Sequence, residues 1–192
     1  MEGSQATYDL ETKLWNKYPE FLTEDEAIEI IAQLTRCHME PGNQVMWSGV
    51  PRDWVQAWAD RRGLQTLTTA MGPLMDGKHP LCRKTRKSPT EWSRYVTGAS
   101  ALFAEMIPKG HAVTVLLRPP PHRFNPLGQT TYQRFEEPVL KGHSSPSESS
   151  IYAVHITVHG AEDERYQIWP SDEMHDWVAR RNKRTVRIKS RW

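Results

Sequence analysis

Residues 131–138, Thr-Tyr-Gln-Arg-Phe-Glu-Glu-Pro, place an acidic pair, Glu136 and Glu137, at the end of a segment of threonine and aromatic side chains. Far upstream, Met46-Trp47-Ser48-Gly49 reads as an exposed Trp-Ser turn that could face it. A carboxylate beside aromatic walls suits the breaking of a bond to a positively charged leaving group. The aromatic faces hold the flat cation, and the carboxylate stabilises the charge that develops on the carbon left behind. A pyridinium on a ribose carbon, as in the nicotinamide nucleotides, is such a bond. Glu136 is the expected carboxylate, hydrogen-bonded to ribose hydroxyls as electrostatic stabiliser or nucleophile. Glu137, its neighbour in an extended segment, would point the opposite way.

Trp47 and Trp92 are the expected stacking residues. Trp54 and Trp58, four apart on a helix, read as packing instead. Phosphates have no Gly-rich fingerprint here: the chain has neither GxGxxG nor a Walker loop, which argues against a dehydrogenase or a P-loop enzyme. Ser48, Thr130, Thr131 and backbone amides are the groups left to hold a pyrophosphate, with Arg52 or Arg134 able to add charge. His155 and His159 fall on one side of an expected strand without a nearby cysteine or carboxylate cluster, so no metal site is expected. A Gly-x-Ser-x-Gly elbow is missing, which argues against a serine hydrolase.

The elements that must position these groups divide in two. Thr23-Glu24-Asp25-Glu26 opens a helix as a capping box, and Ala27, Ile30, Ile31 and Leu34 follow at helical spacing. Further helices are expected over Tyr8 to Tyr18, Arg52 to Arg61 (Trp54, Val55 and Trp58 on one face), Leu67 to Met75 and Thr90 to Ile107. The texture then changes. Ala112 to Leu117 and Ile151 to Val158 read as buried strands, Thr130 to Glu136 as extended or short helical, and Lys141 to Ser150 as a polar loop. Ile168 to Pro170 begins a third strand or leads into the last helix, Asp172 to Arg181, after a Ser171 cap. The expected fold is α+β: a mainly helical lobe over 1–110, then an α/β lobe over 111–192 with a small, mainly parallel sheet flanked by helices. The site falls at their junction in one compact unit.

The 192 residues are enough for one domain with a buried core. The 38% hydrophobic and 25% charged composition is that of a globular chain and excludes a disordered one. A net charge of only +2 excludes a polycation, although Arg83 to Lys87 and Arg180 to Arg191 are locally basic. Two cysteines, Cys37 and Cys82, cannot make a disulfide framework and read as reduced thiols. No apolar run reaches the roughly 20 residues of a membrane helix, and Met1-Glu2-Gly3-Ser4 lacks a signal-peptide core. A soluble protein, cytoplasmic or delivered elsewhere, is expected.

With these residues in view, the chain resembles the animal ADP-ribosyl cyclase and NAD glycohydrolase family from about Leu14 to Asn182. The signposts stand in the family's order. They are Tyr18 to Glu26, Trp47-Ser48, Thr66-Leu67 with Thr69 and Gly72, and Ser100 with Phe103-Ala104-Glu105. The Ala112 to Leu117 strand, Thr130-Thr131-Tyr132 with Glu136, and Val158-His159-Gly160 with Glu162-Asp163 follow. The resemblance implies an enzyme that takes NAD or NADP as substrate, with no other cofactor, and releases nicotinamide to form ADP-ribose, cyclic ADP-ribose or both. It implies Glu136 as the catalytic glutamate, Trp47 as the first active-site tryptophan, Ser48 near the pyrophosphate, and Thr130, Thr131 and Tyr132 along the ribose and phosphates. Trp92 stands for the second tryptophan, about one helical turn early when Ser100 and Phe103 are aligned, with Tyr95 as runner-up.

The departures are specific. The family's disulfides are missing. Thr68 stands where the family has an acidic residue, which leans toward cyclisation, while Thr131 leans toward hydrolysis; hydrolysis is the expected main outcome. The family's arginine after Trp-Ser is Gly49. The competing readings are a nucleotide-binding module without turnover and a nucleic-acid-binding module using the basic tail with tryptophan stacking. An effector of this kind could also have an inhibitor or immunity partner.

Overall fold

The computed structural model describes residues 13–142 and 149–189, with side chains as far as Lys183. Helix α1 (Glu24–Arg36) starts as its sequence dictates. The Thr23 side chain accepts from the Glu26 amide, and the Glu26 carboxylate accepts from the Thr23 amide. Ala27, Ile30, Ile31 and Leu34 form its buried stripe. Helix α2 covers Arg52–Asp60 and α3 Leu67–Met71, the latter tightening into a 3-10 turn at Gly72–Leu74. Helix α4 (Pro89–Met106) repeats the capping logic, with Ser88 and Glu91 reciprocally bonded and Pro89 in the first turn. A π-helical turn at Tyr132–Glu136 runs into α5 (Glu137–Gly142), and α6 (Met174–Lys189) follows the sheet.

The sheet has five strands: β1 (Gln44–Ser48), β2 (Gln65–Thr66), β3 (Val113–Leu117), β4 (Ile151–Val154) and β5 (Arg165–Trp169). Their order is β2-β1-β3-β4-β5, parallel through β4 and antiparallel at β5. The expected α+β class with a mainly parallel sheet and flanking helices is what the chain adopts. Strands β1 and β2 lie within residues 1–110, so that stretch supplies part of the sheet as well as helices.

Pleat alternation sends side chains to two cores. Met46, Val113, Val115, Leu117, Ile151 and Ala153 face α1, α3, α4 and the π turn in the larger one. Val45, Leu116 and Val154 face α2 through Val55, Trp58 and Ala59 in the smaller one. A sheet covered on both faces explains why the strands read as apolar runs.

Several expectations change. Trp47-Ser48 is the end of a strand, not a turn: β1 is locked between β2 and β3, with Trp47 opposite Leu116 and Ser48 opposite Leu117. Trp54 is 57% exposed and leaves Val55 and Trp58 to pack. The second strand stops at Val154 because the backbone turns twice, Val158 to His155 and Ala161 to Val158. His155 and His159 therefore do not share a strand face: His155 is fully buried and His159 is exposed. The last helix starts at Met174, whose amide binds Asp172, so the turn is capped there rather than at Ser171. The helix expected from Tyr8 begins outside the described residues, and residues 143–148 of the expected polar loop lie outside them too.

Candidate functional site

Strands β1 and β3 are neighbours in the sheet, but the chain leaves them in opposite directions. After β1 it runs into α2 on one face; after β3 it runs through a long loop to the π turn on the other. In open parallel sheets such a divergence opens a crevice at the carboxyl ends of the strands. Ser48, Gly49, Leu117 and Arg118 stand at this edge, and the π turn packs against both α4 and β1.

Glu136 is the chemically unusual group. It is 5% exposed. Its Oε1 accepts a hydrogen bond from the Ser100 hydroxyl on α4, while its Oε2 is buried without a partner. Burial pushes the carboxyl up to about 7, opposed by the Ser100 hydrogen bond, which favours the charged form. A carboxyl at that value exchanges protons near neutrality and is half-charged in a dry site. Its carrier is a π turn, closed by the Glu137 amide on the Tyr132 carbonyl. Such widened turns recur at functional sites. Glu137 is part of the same helical run rather than an extended segment; its carboxylate pairs with Lys141 at 2.8 Å, one turn on.

The expected substrate-binding groups divide. Ser48 is buried, and by alternation it shares the face of Met46, where α4 and the π turn lie. Trp47 shares the face of Val45; at the last turn of the pleat it packs against both cores and stays half-buried. Thr130 caps the π turn, its hydroxyl oxygen accepting from the Gln133 amide at 3.2 Å and its carbonyl from the Arg134 amide. That bond gives Thr130 a structural role; Thr131, next to it, is half-buried. The Tyr132 ring stacks on Phe124 at 6.1 Å, and its hydroxyl is buried without a partner.

Trp92 and Thr68 meet in a cleft of about 400 Å3 with Arg52, Gly72, Met75, Asp76 and Lys84. Arg52 Nε donates to the Thr68 hydroxyl at 3.2 Å. Trp92 stacks on Tyr95 at 5.3 Å, but Tyr95 itself is fully buried, which leaves Trp92 the ring open to a ligand. Trp92 and Ser100 are two turns apart on α4. Glu136 and Trp47 do not line this cleft, so the groups form two clusters joined by α4 rather than one bowl.

Two features escaped the sequence reading. Arg118, the first residue after β3, donates through Nε to the Gly49 carbonyl at 2.8 Å. A basic residue directly following a buried apolar strand was the available signal. Five residues further along the chain, Arg123 forms a fork with Asp172 and reaches the Tyr166 hydroxyl at 3.4 Å. His155 Nε2 meets that hydroxyl at 2.9 Å, and its Nδ1 lies 3.1 Å from the Leu117 carbonyl. The carbonyl assigns the proton to Nδ1, so Nε2 accepts from Tyr166. Burial lowers the His155 pKa, which keeps the ring neutral. This chain of bonds ties the loop after β3 to β5 and α6.

Cys37 and Cys82 are free thiols. Among the described residues no cluster of His, Cys, Asp or Glu could hold a metal, and no helix is long and apolar enough to cross a membrane. Of the basic tail, Arg181 is engaged with the Gly160 and His159 carbonyls, while the side chains of Arg184, Arg187, Lys189 and Arg191 lie outside the described residues. The chain matches no family model and has no significant match among curated proteins.

Proposed function

We propose that the protein cleaves the nicotinamide–ribose bond of NAD or NADP, with Glu136 stabilising the ribosyl cation. The observation that carries this reading is the buried Glu136 carboxyl, bonded to Ser100 through one oxygen and unpartnered at the other, on the π turn that packs against α4 and β1. The family resemblance assigns the same residue. The buried, unpartnered Oε2 has acceptor capacity that a ribose hydroxyl takes up when substrate displaces the side chains covering it, and in a water-poor site an anion there favours a cation above it strongly. The C1′–N bond breaks, and its electron pair leaves with neutral nicotinamide. Water then adds to C1′ and loses a proton, giving ADP-ribose; adenine attacking instead gives the cyclic product. Trp47, at the end of β1, is the aromatic face for the pyridinium in this reading, while Trp92 lines the neighbouring cleft.

A neutral carboxyl cannot stabilise the cation, so the reaction draws on the fraction of Glu136 that is ionised. The test is incubation of wild type and Glu136→Gln with NAD, followed by chromatography of the products. Nicotinamide release that the variant lacks supports the reading, and the ratio of ADP-ribose to cyclic ADP-ribose sets the subtype. A folded wild type that releases no nicotinamide overturns it.

A further inference from the structure

We propose that Arg123 is a positioning residue for Glu136: clamped to Asp172 and Tyr166, it holds Phe124 against Tyr132 and so fixes the π turn whose last residue is Glu136. The effect on rate rests on the cleavage reading, but the geometry stands without it. The loop from β3 to the π turn is exposed at 121–122 and 125–129 and dips inward at Arg123 and Phe124. Nη1 and Nη2 of Arg123 donate to the two oxygens of Asp172, and Nη1 also donates to the Tyr166 hydroxyl at 3.4 Å. A two-point fork fixes the plane of the guanidinium as a single bond cannot. Asp172 in turn accepts from the Met174 amide at 3.1 Å, where α6 begins. The clamp is therefore built on β5 and α6, outside the loop that it holds.

The grip then passes along the chain to the turn. The Arg123 guanidinium lies 4.8 Å from the centre of the Phe124 ring. That ring stacks on Tyr132 at 6.1 Å with the planes 2° apart. One residue on, the Asn125 carbonyl accepts from the Gln133 side chain at 3.0 Å. The two residues after Arg123 thus hold the first two residues of the π turn. Tyr132 and Glu136 are the buried residues of that turn, and the Tyr132 carbonyl accepts the Glu137 amide that closes it. Arg123 Nε and the Tyr132 hydroxyl are both buried without partners, so packing and the fork hold the stack, not a bond between its ends. Burial raises the Tyr132 hydroxyl well above its usual range, and the Arg123 charge opposes that. The Glu136 carboxyl is raised by burial and opposed by the Ser100 hydrogen bond. Arg123 therefore acts on Glu136 through the turn, not as a counter-charge.

The test is carbon-13 NMR titration of the Glu136 carboxyl in glutamate-labelled wild type, Arg123→Gln and Phe124→Leu, each first shown to be folded by circular dichroism. The Glu136 signal is the one that Glu136→Gln lacks. Arg123→Gln removes the clamp, and Phe124→Leu leaves the clamp but removes the ring that carries it to the turn. Either change loosens the turn and lets water reach the carboxyl, so the midpoint should fall from about 7 toward 4.5, by about one pH unit or more. With NAD, kcat should fall by about tenfold to a hundredfold, the cost of a misplaced group, while KM stays within about twofold. A midpoint that stays in place in either folded variant overturns the proposal, as does a wild-type Glu136 that already titrates at its ordinary value. A midpoint that falls in both variants, in a protein that releases no nicotinamide, upholds the positioning and discards the cleavage reading. Nicotinamide release at the wild-type rate from an Arg123→Gln protein with an unmoved midpoint does the reverse.

Discussion

Replacing Glu136 with glutamine should give a protein whose stability advantage over wild type grows as the pH rises. The carboxyl is held at about 7 instead of its ordinary 4.5 because it is buried with no cation beside it. Below pH 4.5 both the folded and unfolded forms carry the proton, and the group costs nothing through ionisation. Between 4.5 and 7 the unfolded chain gives up its proton while the folded one keeps it. Stability therefore falls through this window at about 1.4 kcal/mol per pH unit and levels off above 7, a total of about 3 kcal/mol. Glutamine keeps the shape and can still accept from Ser100, but it does not titrate. Its buried amide nitrogen adds a cost of its own, which is the same at every pH and drops out of a comparison between two pH values. Urea denaturation of both proteins at pH 4.5 and pH 8 measures the difference. The advantage of Glu136→Gln over wild type should grow by about 3 kcal/mol from the lower to the higher pH, which for a chain of this size is roughly 6–12 °C in melting temperature. An advantage that is the same at both pH values refutes the claim that a dry, unpaired carboxyl sits at position 136. The same proton governs the proposed chemistry: as stability falls toward pH 7, the ionised fraction that supports turnover should rise.

Ser100→Ala removes the hydrogen bond that favours the charged carboxyl. The ascending limb of the rate against pH should move to higher pH, and a limb that stays in place would detach Ser100 from the titration of Glu136. Trp47→Ala should raise the KM for NAD by about twofold to thirtyfold, the range of a cation–aromatic contact. Tyr95→Phe should leave KM unchanged and, because the lost hydroxyl is buried without a partner, should change the melting midpoint by less than about 1 kcal/mol in equivalent stability. A KM that Trp47→Ala leaves in place would remove that ring from the pyridinium.

The helices α1 and α4 were legible because their signals are local. Thr23 with Glu26, and Ser88 with Glu91, carry both halves of a capping box within four residues. Strand β1 was not legible, since five residues with a polar residue at each end and one tryptophan are a strand only when β2 and β3 flank them. With two residues in its pairing, β2 has no period to read. Ile151 to Val158 reads as one strand because most of its residue types are β-formers; the chain turns after Val154 at the buried His155, whose partners Leu117 and Tyr166 lie outside the segment. The π turn was half visible, as a segment of uncertain class. One extra residue in a helical ring leaves no mark in composition.

The site follows the same division between local and remote causes. Glu136 could be singled out by type and by resemblance, but the property that sets its carboxyl apart is dryness, and dryness comes from the packing of the π turn against α4 and β1. Arg118 could not be singled out, because its anchor is a glycine carbonyl 69 positions away. Both gaps have one origin. Ser48, Arg118 and Glu136 come from separate stretches of chain and share an edge only because β1 and β3 lie side by side while their following segments diverge. The family that the sequence resembles has an arginine directly after Trp-Ser, where this chain has Gly49. Here that position must be glycine for the chain to turn at φ +71 and for Arg118 to cross over it from the neighbouring strand. A positive charge beside Ser48 can be reached from either strand, since the two are one ladder apart. Along the sequence the residue after Ser48 is a glycine, whereas the sheet brings the arginine of β3's end across to it.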